Sequence, residues 1–156
     1  MKITEFLGPD AVIPELTAKD KPGILRELAA PLARHMSLPA DSIFAMLSER
    51  EEIGTTGIGE GVAIPHGKLS GVPRLTASFG VSHGGVDFQS IDGKPTHLFF
   101  ALIAPDTTHG NVAGLHLRAL ARISRLFKSP AFRESILRAD GPAAIYQLIS
   151  REDEVP

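Results

Sequence analysis

The first candidate for chemistry in this chain is a histidine that directly follows a proline, in the segment GVAIPHGK. Residues 62–64, VAI, have the composition of a short buried strand, and Pro65 is predicted to end its ladder because proline has no backbone donor. His66 is therefore expected where the chain leaves the sheet, with Gly67 giving room for close approach. This position suits a reactive imidazole, although a structural histidine in a turn has the same pattern.

Two further polar residues are predicted on the apolar faces of helices. Arg50 follows Leu47 by three residues, and His116 precedes Ile123 by seven, spacings that place each pair on one helix face. A guanidinium in that position either reaches solvent with its tip or binds an anion through its fork of donors. A histidine near a helix start is either a satisfied core residue or a group that faces a phosphate.

The loop TTGIGEG, residues 55–61, joins the second helix to the strand before His66. Its glycines allow backbone conformations that point amides at an anion, so Thr55, Thr56, Gly57 and Gly59 are candidates for a phosphate-facing loop. It is neither a dinucleotide fingerprint nor a P-loop, because the required glycine and Gly-Lys-Ser/Thr positions are missing. Together, these groups suggest a phosphohistidine site, in which a neutral imidazole accepts a phosphoryl group and nearby donors hold its charge.

Composition restricts the classes of protein that this chain can represent. It has 156 residues, 43% apolar and 22% charged, with a formal net charge of −2 and no cysteine. These values predict one globular domain over residues 1–156 without disulfides, cysteine nucleophiles or the basic footprint of a nucleic-acid-binding protein. No segment has the length of a membrane span or the pattern of a signal peptide, so the expected location is the cytoplasm.

Periodicity predicts an α/β domain with strands in the middle of the chain and helices before and after them. Asp20 is the expected cap of the first helix, and Pro31 lies where it could bend or end that helix. A further edge strand or hairpin is expected at 86–88, followed by an Asp92-Gly93 turn. The predicted helices cover 20–35, 40–51, 112–128, 130–139 and 142–150, and the other strands cover 62–64, 75–82 and 97–104.

The segment from Arg50 through TTGIGEGVAIPHGKL, joined to HLRALARISRLF, resembles the fructose/mannitol-type enzyme IIA (EIIA) of the bacterial sugar phosphotransferase system. The similarity extends over almost the whole chain, and it is greatest to the free-standing, nitrogen-regulatory branch. The resemblance implies a mixed five-stranded sheet between helices and a phosphotransferase component with no metal or organic cofactor.

The same resemblance implies that His66 accepts a phosphoryl group, through Nε2, from a histidine phosphocarrier protein charged by phosphoenolpyruvate and enzyme I. Arg50 matches the residue that helps to hold the phosphoryl group, and His116 matches the second active-site histidine. One departure is Glu60, where relatives often have Asn; its carboxylate is expected to point away from the phosphoryl group or to pair with a cation such as Lys68.

The expected role is regulatory, because no transporter domain is fused to the chain, and the implied targets include potassium-transport or kinase proteins. A sugar-uptake IIA that passes phosphate to a separate IIB has the same chemistry. The residues also leave open a non-phosphorylated binding module and a metal-dependent hydrolase, although no HExxH or HxH pair is present. In the hydrolase, the ligands would come from six histidines, of which His83 and His109 are expected in loops: His35, His66, His83, His97, His109 and His116.

Overall fold

The computed structural model describes residues 1–106 and 112–155. Two short 3-10 helices, Ile3–Glu5 and Pro9–Ala11, precede the first strand. The strands are β1 (Val12–Ile13), β2 (Gly57–Gly59), β3 (Val62–Ala63), β4 (His66–Leu69), β5 (Thr76–Val86) and β6 (Thr96–Pro105). The helices are α1 (Lys21–Met36), α2 (Ala40–Ile53), α3 (Val112–Leu126), α4 (Pro130–Arg138) and α5 (Pro142–Asp153).

The sheet is mixed and has β6 at its centre. Its strand order is β1-β5-β6-β3-β2, with β5 antiparallel to β6 and β3 parallel to it. β4 also pairs parallel with β6, in the register His66 with Leu102. One edge of β6 is occupied by β5. The strands β3 and β4 therefore lie one after the other along the opposite edge of β6. Within the described residues the sheet thus has six strands where the resemblance implied five, and the predicted α/β class with a mixed sheet between helices is confirmed.

The two faces of the sheet carry separate apolar clusters, as expected for a strand buried on both faces. Leu98, Phe100 and Leu102 of β6 pack in one cluster with side chains of α3, α4 and α5. Phe99 and Ala101 of the same strand pack in the other with side chains of α1 and α2. This alternation, with period two, places α2 and α3 on opposite faces of the sheet, from which they supply Arg50 and His116.

The helices begin and end close to their predicted limits. The Asp20 side chain accepts a hydrogen bond from the Gly23 amide at 2.9 Å, which confirms it as the cap of α1. Pro31 neither bends the chain out of the helix nor ends it, because α1 continues to Met36 with the proline ring buried. Burial of that ring among apolar side chains offsets the free-energy cost of the helical hydrogen bond that proline cannot make.

Two of three local predictions about strands were wrong. Pro65 does not end the pairing with β6: its carbonyl accepts the Leu102 amide at 2.9 Å, so His66 begins β4 and stays within the sheet. Residues 86–88 form no separate edge strand; the alternative, a hairpin, is present, because Val86 ends β5 and pairs with Thr96 of the antiparallel β6, and the Gly93 amide bonds to the Ser90 carbonyl in the connecting turn. The strand β5 also includes His83, which was expected in a loop. His83 lies in the part of β5 after Val81, where the pairing with β6 is irregular.

Gly67 allows α2 to lie directly against β4. A Cβ atom at this position would collide with Met46 Sδ, so only glycine accommodates the methionine where it now packs. Met46 is one turn before Arg50 on α2. Close packing of Met46 on Gly67 therefore brings the end of α2 next to the strand that begins with His66.

We expect Gly67→Ala to lower the free energy of unfolding by about 1–3 kcal/mol, because Met46 must leave its present position. Urea unfolding followed by circular dichroism measures this change, and Gly54→Ala is the matched control, since a Cβ at Gly54 has no atom within 4 Å. The free energy of unfolding of the double variant Gly67→Ala, Met46→Ala should fall by less than the sum of the decreases in the two single variants. Equal losses for the Gly67 and Gly54 variants would contradict the packing explanation.

Among the helices in the described part of the chain, none has the length and apolar character needed to cross a membrane.

Candidate functional site

His66 stands at the first position of β4 with its ring fixed by a neighbouring carbonyl. Nδ1 lies 2.7 Å from the carbonyl oxygen of Ile64. Since a carbonyl oxygen only accepts hydrogen bonds, Nδ1 carries the proton of the neutral ring and donates it to Ile64. The lone pair of neutral His66 is therefore on Nε2, the nitrogen that remains available for a bond to an electrophile.

His116 lies beside His66, which the spacing of the sequence could not establish. The two ring centroids are 5.7 Å apart and the rings meet edge to face at 64°. His116 is buried, and its Nε2 has no hydrogen-bond partner within the described residues. Burial, with the nearby His66 and Lys68, lowers the pKa of His116 to about 4, so that its ring is neutral at pH 7.

Arg50 supplies the second predicted side chain of the site. Its Nη1 donates to the carbonyl oxygen of Gly54 at 2.8 Å, which holds the guanidinium at the end of α2. Burial lowers the pKa of His66, and the positive charge of Arg50 lowers it further against the opposing hydrogen bond to Ile64. The structure thus brings His66, His116 and Arg50 together, with Lys68 close enough to affect His116.

Glu51 is a site neighbour that the sequence analysis missed. Its carboxylate is buried, accepts hydrogen bonds from the Thr56 amide and hydroxyl, and pairs with Lys21 Nζ at 2.9 Å. Its negative charge raises the pKa of His66. A signal was present in the sequence: Ile43, Leu47 and Glu51 are spaced four residues apart, and these are the buried residues of α2.

The Thr55–Gly59 loop is held by hydrogen bonds within the chain. The Thr56 amide donates to Glu51, and the Gly57 amide donates to the Thr55 hydroxyl at 3.0 Å. Gly59 lies near Asp92, since a Cβ built on it would be 3.3 Å from that carboxylate. The amides of Thr56 and Gly57 can therefore contact a phosphoryl group only if they exchange these partners.

Glu60 does not pair with Lys68. It is exposed, and its carboxylate lies 3.5 Å from Nη2 of Arg133 on α4. Its backbone has a φ of 59°, a left-handed conformation that asparagine adopts more easily than glutamate. An asparagine at position 60 would therefore meet the backbone requirement of this turn with less strain than the glutamate present.

The other histidines do not join this site in a metal-binding group. His35 pairs with Asp10, His83 with Glu15, and His97 Nδ1 lies 2.9 Å from the Ser82 carbonyl oxygen. Within residues 1–106 and 112–155, no three side chains of His, Cys, Asp or Glu are placed to hold a metal ion together. His109, one of the ligands expected in a hydrolase, lies outside the described residues.

Removing the charge of Arg50 should raise the pKa of His66. We expect Arg50→Gln to move this pKa upward, toward 6.5, because the positive charge that disfavours the imidazolium is lost. NMR titration of the ring signals measures the shift, with Arg151→Gln as a control at an exposed position in α5. In the wild type, the His66 ring stays neutral as the pH falls below 6.5 and becomes protonated only near its lowered pKa. A titration midpoint of His66 that is higher in the wild type than in Arg50→Gln would contradict the effect assigned to Arg50.

Known proteins resemble this chain both in sequence and in fold. Residues 5–152 match the family model described as "Phosphoenolpyruvate-dependent sugar phosphotransferase system, EIIA 2". The chain is 37% identical over 150 residues to a nitrogen regulatory protein of Bradyrhizobium diazoefficiens, covering 96% of this chain and 95% of that protein. It is similar in structure to the nitrogen regulatory protein IIA-Ntr of Neisseria meningitidis, with a TM-score of 0.86 and 31% identity over 94% of this chain and 98% of that chain.

A third relative has a different organisation. The chain is 34% identical over 155 residues to the fructose-specific EIIABC component of the phosphotransferase system of Bacillus subtilis. The match covers 99% of this chain but only 24% of that longer protein. Because the family model covers residues 5–152, the chain belongs to the EIIA type 2 family of the phosphoenolpyruvate-dependent sugar phosphotransferase system.

Proposed function

We propose that His66 accepts a phosphoryl group on Nε2 from a histidine phosphocarrier protein, within a single domain spanning residues 1–156. The observation that carries this proposal is the hydrogen bond from Nδ1 to the Ile64 carbonyl, because it directs the lone pair of the neutral ring to Nε2. The lowered pKa of His66 supports it as well, since burial and the charge of Arg50 keep the ring unprotonated on Nε2.

In the proposed transfer, Nε2 of His66 forms a bond to phosphorus while the bond from phosphorus to the donor's imidazole nitrogen breaks. The electron pair of the broken bond stays on the donor ring, which leaves as neutral imidazole. The His66 ring keeps its Nδ1 proton and becomes a phosphorylated imidazolium. Its positive charge is partly balanced by the phosphoryl oxygens and by Glu51, the acid whose charge raises the pKa of His66.

The negative charge of the phosphoryl group requires donors around it, and three side chains are proposed for this purpose. Arg50 contributes a fixed positive charge and guanidinium donors beyond its bond to Gly54. His116 is neutral, and its buried Nε2 has no partner within the described residues, so it can donate to a phosphoryl oxygen. Lys68 is exposed near His116 and adds a second positive charge.

Docking of the donor is proposed on the surface around these residues. Leu117, next to His116 on α3, is 66% exposed, and Leu69, in the same strand as His66, is partly exposed. Exposed apolar side chains beside a charged site are typical of transient protein interfaces, which combine an apolar centre with a polar rim. The Thr55–Gly59 loop is proposed to contribute amides to the phosphoryl group, on exchange of its present partners.

We infer that the role is regulatory, because the relatives that match this chain over nearly their whole length include nitrogen regulatory proteins. Phosphorylation at His66 would add negative charge to an exposed surface and so change which proteins bind there. Potassium-transport or kinase proteins are the downstream partners expected from the resemblance. A cytoplasmic location is part of the same proposal.

Intact mass spectrometry tests the relay. The chain is incubated with phosphoenolpyruvate, enzyme I and the phosphocarrier, and we expect one acid-labile phosphoryl adduct that is absent when the phosphocarrier is omitted. A different EIIA, run in the same mixture, is the control that the relay works. No adduct on this chain beside a phosphorylated control would exclude the proposed carrier function.

A second candidate function is sugar uptake, favoured by the match to the fructose-specific EIIABC component. It requires onward transfer from His66 to a separate IIB with a reactive cysteine. The phosphorylated chain can be mixed with purified fructose-type and mannitol-type IIB proteins, and loss of its adduct followed with time. Rapid loss to one IIB would favour uptake, whereas an adduct as stable as in buffer alone favours the regulatory role.

A further inference from the structure

A stripe of cations lies on the solvent face of α3, apart from the His66 site. It consists of Arg118, Arg122, Arg125 and Lys128, the last just beyond the helix, at spacings of three or four residues. His116 is two residues before Arg118, so the two side chains leave the helix about 200° apart at 100° per residue. Because His116 faces His66, the cationic stripe faces away from it.

Most of the stripe has no acidic partner in the folded chain. Within residues 1–106 and 112–155, Arg118, Arg125 and Lys128 make no ion pair, although Arg26, Arg122, Arg133 and Arg138 each do. Arg118, Arg125 and Lys128 are also exposed. A chain with a net charge of −2 therefore concentrates three unpaired positive charges on one surface.

The stripe lines a groove rather than a flat surface. The groove has a volume of about 760 Å³, and its lining includes Glu5, Arg118, Ala121, Arg122, Arg125 and Lys128. One of these residues is acidic and four are basic. His66, Arg50 and His116 take no part in the lining. The groove is thus a second, positively charged surface of the molecule.

The chain already binds one carboxylate at the edge of this groove. Arg122 Nε donates to Asp153 at 2.5 Å, and Arg122 Nη2 donates to the Asp153 carbonyl at 3.0 Å. Arg122 and Arg125 also line an adjoining cavity of about 480 Å³ together with the acidic segment 152–154. Arg122 therefore already binds one carboxylate of its own chain, whereas Arg118, Arg125 and Lys128 make no ion pair within the described residues.

We propose that this groove docks an acidic segment of a partner protein, whose Asp and Glu side chains pair with Arg118, Arg125 and Lys128. Charge complementarity identifies the partner's chemistry, and the Arg122–Asp153 pair provides the mode of recognition. A carboxylate-bearing segment is favoured over a nucleotide because the acid already bound at the stripe is part of a peptide chain. The surface goes beyond the proposed phosphoryl transfer and does not depend on it.

The test measures binding of a fluorescein-labelled peptide of alternating Asp and Glu by anisotropy. Reversing two exposed charges of the stripe, in the variant Arg118→Glu, Arg125→Glu, should weaken binding by about tenfold or more, since each arginine loses a carboxylate partner. The matched control is Arg34→Glu, Arg74→Glu, which changes the net charge equally at exposed positions elsewhere. We expect this control to bind within about twofold of the wild type.

Equal weakening in both double variants would overturn the proposal, because the peptide would then respond to net charge alone. ATP provides the second outcome. If ATP binds the wild type more tightly than the peptide does, and does not bind the variant Arg118→Glu, Arg125→Glu, the groove is a nucleotide site and the proposal is overturned. Circular dichroism of each variant checks that it is folded. His66→Ala should bind the peptide like the wild type, so failure of the phosphoryl relay and failure of this docking surface give different results.

Discussion

Replacing His66 with alanine is expected to remove the phosphoryl adduct completely. The variant lacks the proposed nucleophilic nitrogen. The neighbouring His116 is a poor substitute, because it is buried and its Nε2, which has no partner within the described residues, is proposed to donate. Intact mass after incubation with phosphoenolpyruvate, enzyme I and the phosphocarrier measures the loss. The free energy of unfolding should change by less than about 1 kcal/mol, since His66 is only partly buried.

His83→Ala is the matched control for this experiment. His83 is also a histidine on a strand, but it is exposed on β5 and bonded to Glu15 and the Leu137 carbonyl. We expect this variant to be phosphorylated like the wild type. A stable adduct on His66→Ala, or its loss from His83→Ala with the fold intact, would place the acceptor elsewhere.

Asp153→Ala should cause the largest loss of stability among simple side-chain truncations at the chain ends. The Asp153 side chain is 3% exposed and accepts from the Ile3 amide at 2.7 Å and from Arg122 Nε at 2.5 Å. Truncation leaves the Ile3 amide without its acceptor, while Arg122, at 27% exposure, regains only part of its hydration. We expect the free energy of unfolding to fall by about 3 kcal/mol.

Urea unfolding measures this effect, and Glu154→Ala is its control because the neighbouring residue is exposed. The control should change stability by less than about 0.5 kcal/mol. The loss of stability in Asp153→Asn should lie between those of Asp153→Ala and Glu154→Ala, because the amide oxygen can still accept from the Ile3 amide but carries no charge to pair with Arg122. A loss below about 1 kcal/mol for Asp153→Ala would mean that the link between the chain ends contributes little to stability.

Much of the fold could be predicted because its signals are local. The five helices were predicted by caps, prolines and apolar spacing, and the central strand β6 by its continuous apolar run. The short strands were not predictable in this way. β4 has the sequence HGKL, with no apolar alternation, and it forms because β6 offers it a free edge next to β3. Pairing of this kind is decided by tertiary contacts rather than by residue preference.

The site was predicted in its residues but not in its geometry. Spacing indicated His66, Arg50 and His116 separately, and their convergence required α2 and α3 to lie on opposite faces of the sheet. Glu51 was missed because glutamate is seldom buried without a partner, and its pairing with Lys21 and Thr56 appears only in the folded chain. The pairing of Glu60 with Arg133 depends on a residue more than 70 positions away, which no local pattern records.

The carbonyl of Ile64 also bears on how readily a phosphoryl group would leave His66. By accepting a hydrogen bond from Nδ1–H, it keeps that proton on the ring after the bond to Nε2 has formed. When the bond to phosphorus breaks again, the departing ring is then a neutral imidazole, a far better leaving group than an imidazolate anion. One backbone oxygen would thus make the proposed transfer reversible, so that the phosphoryl group could pass on to another protein rather than remain as a permanent modification.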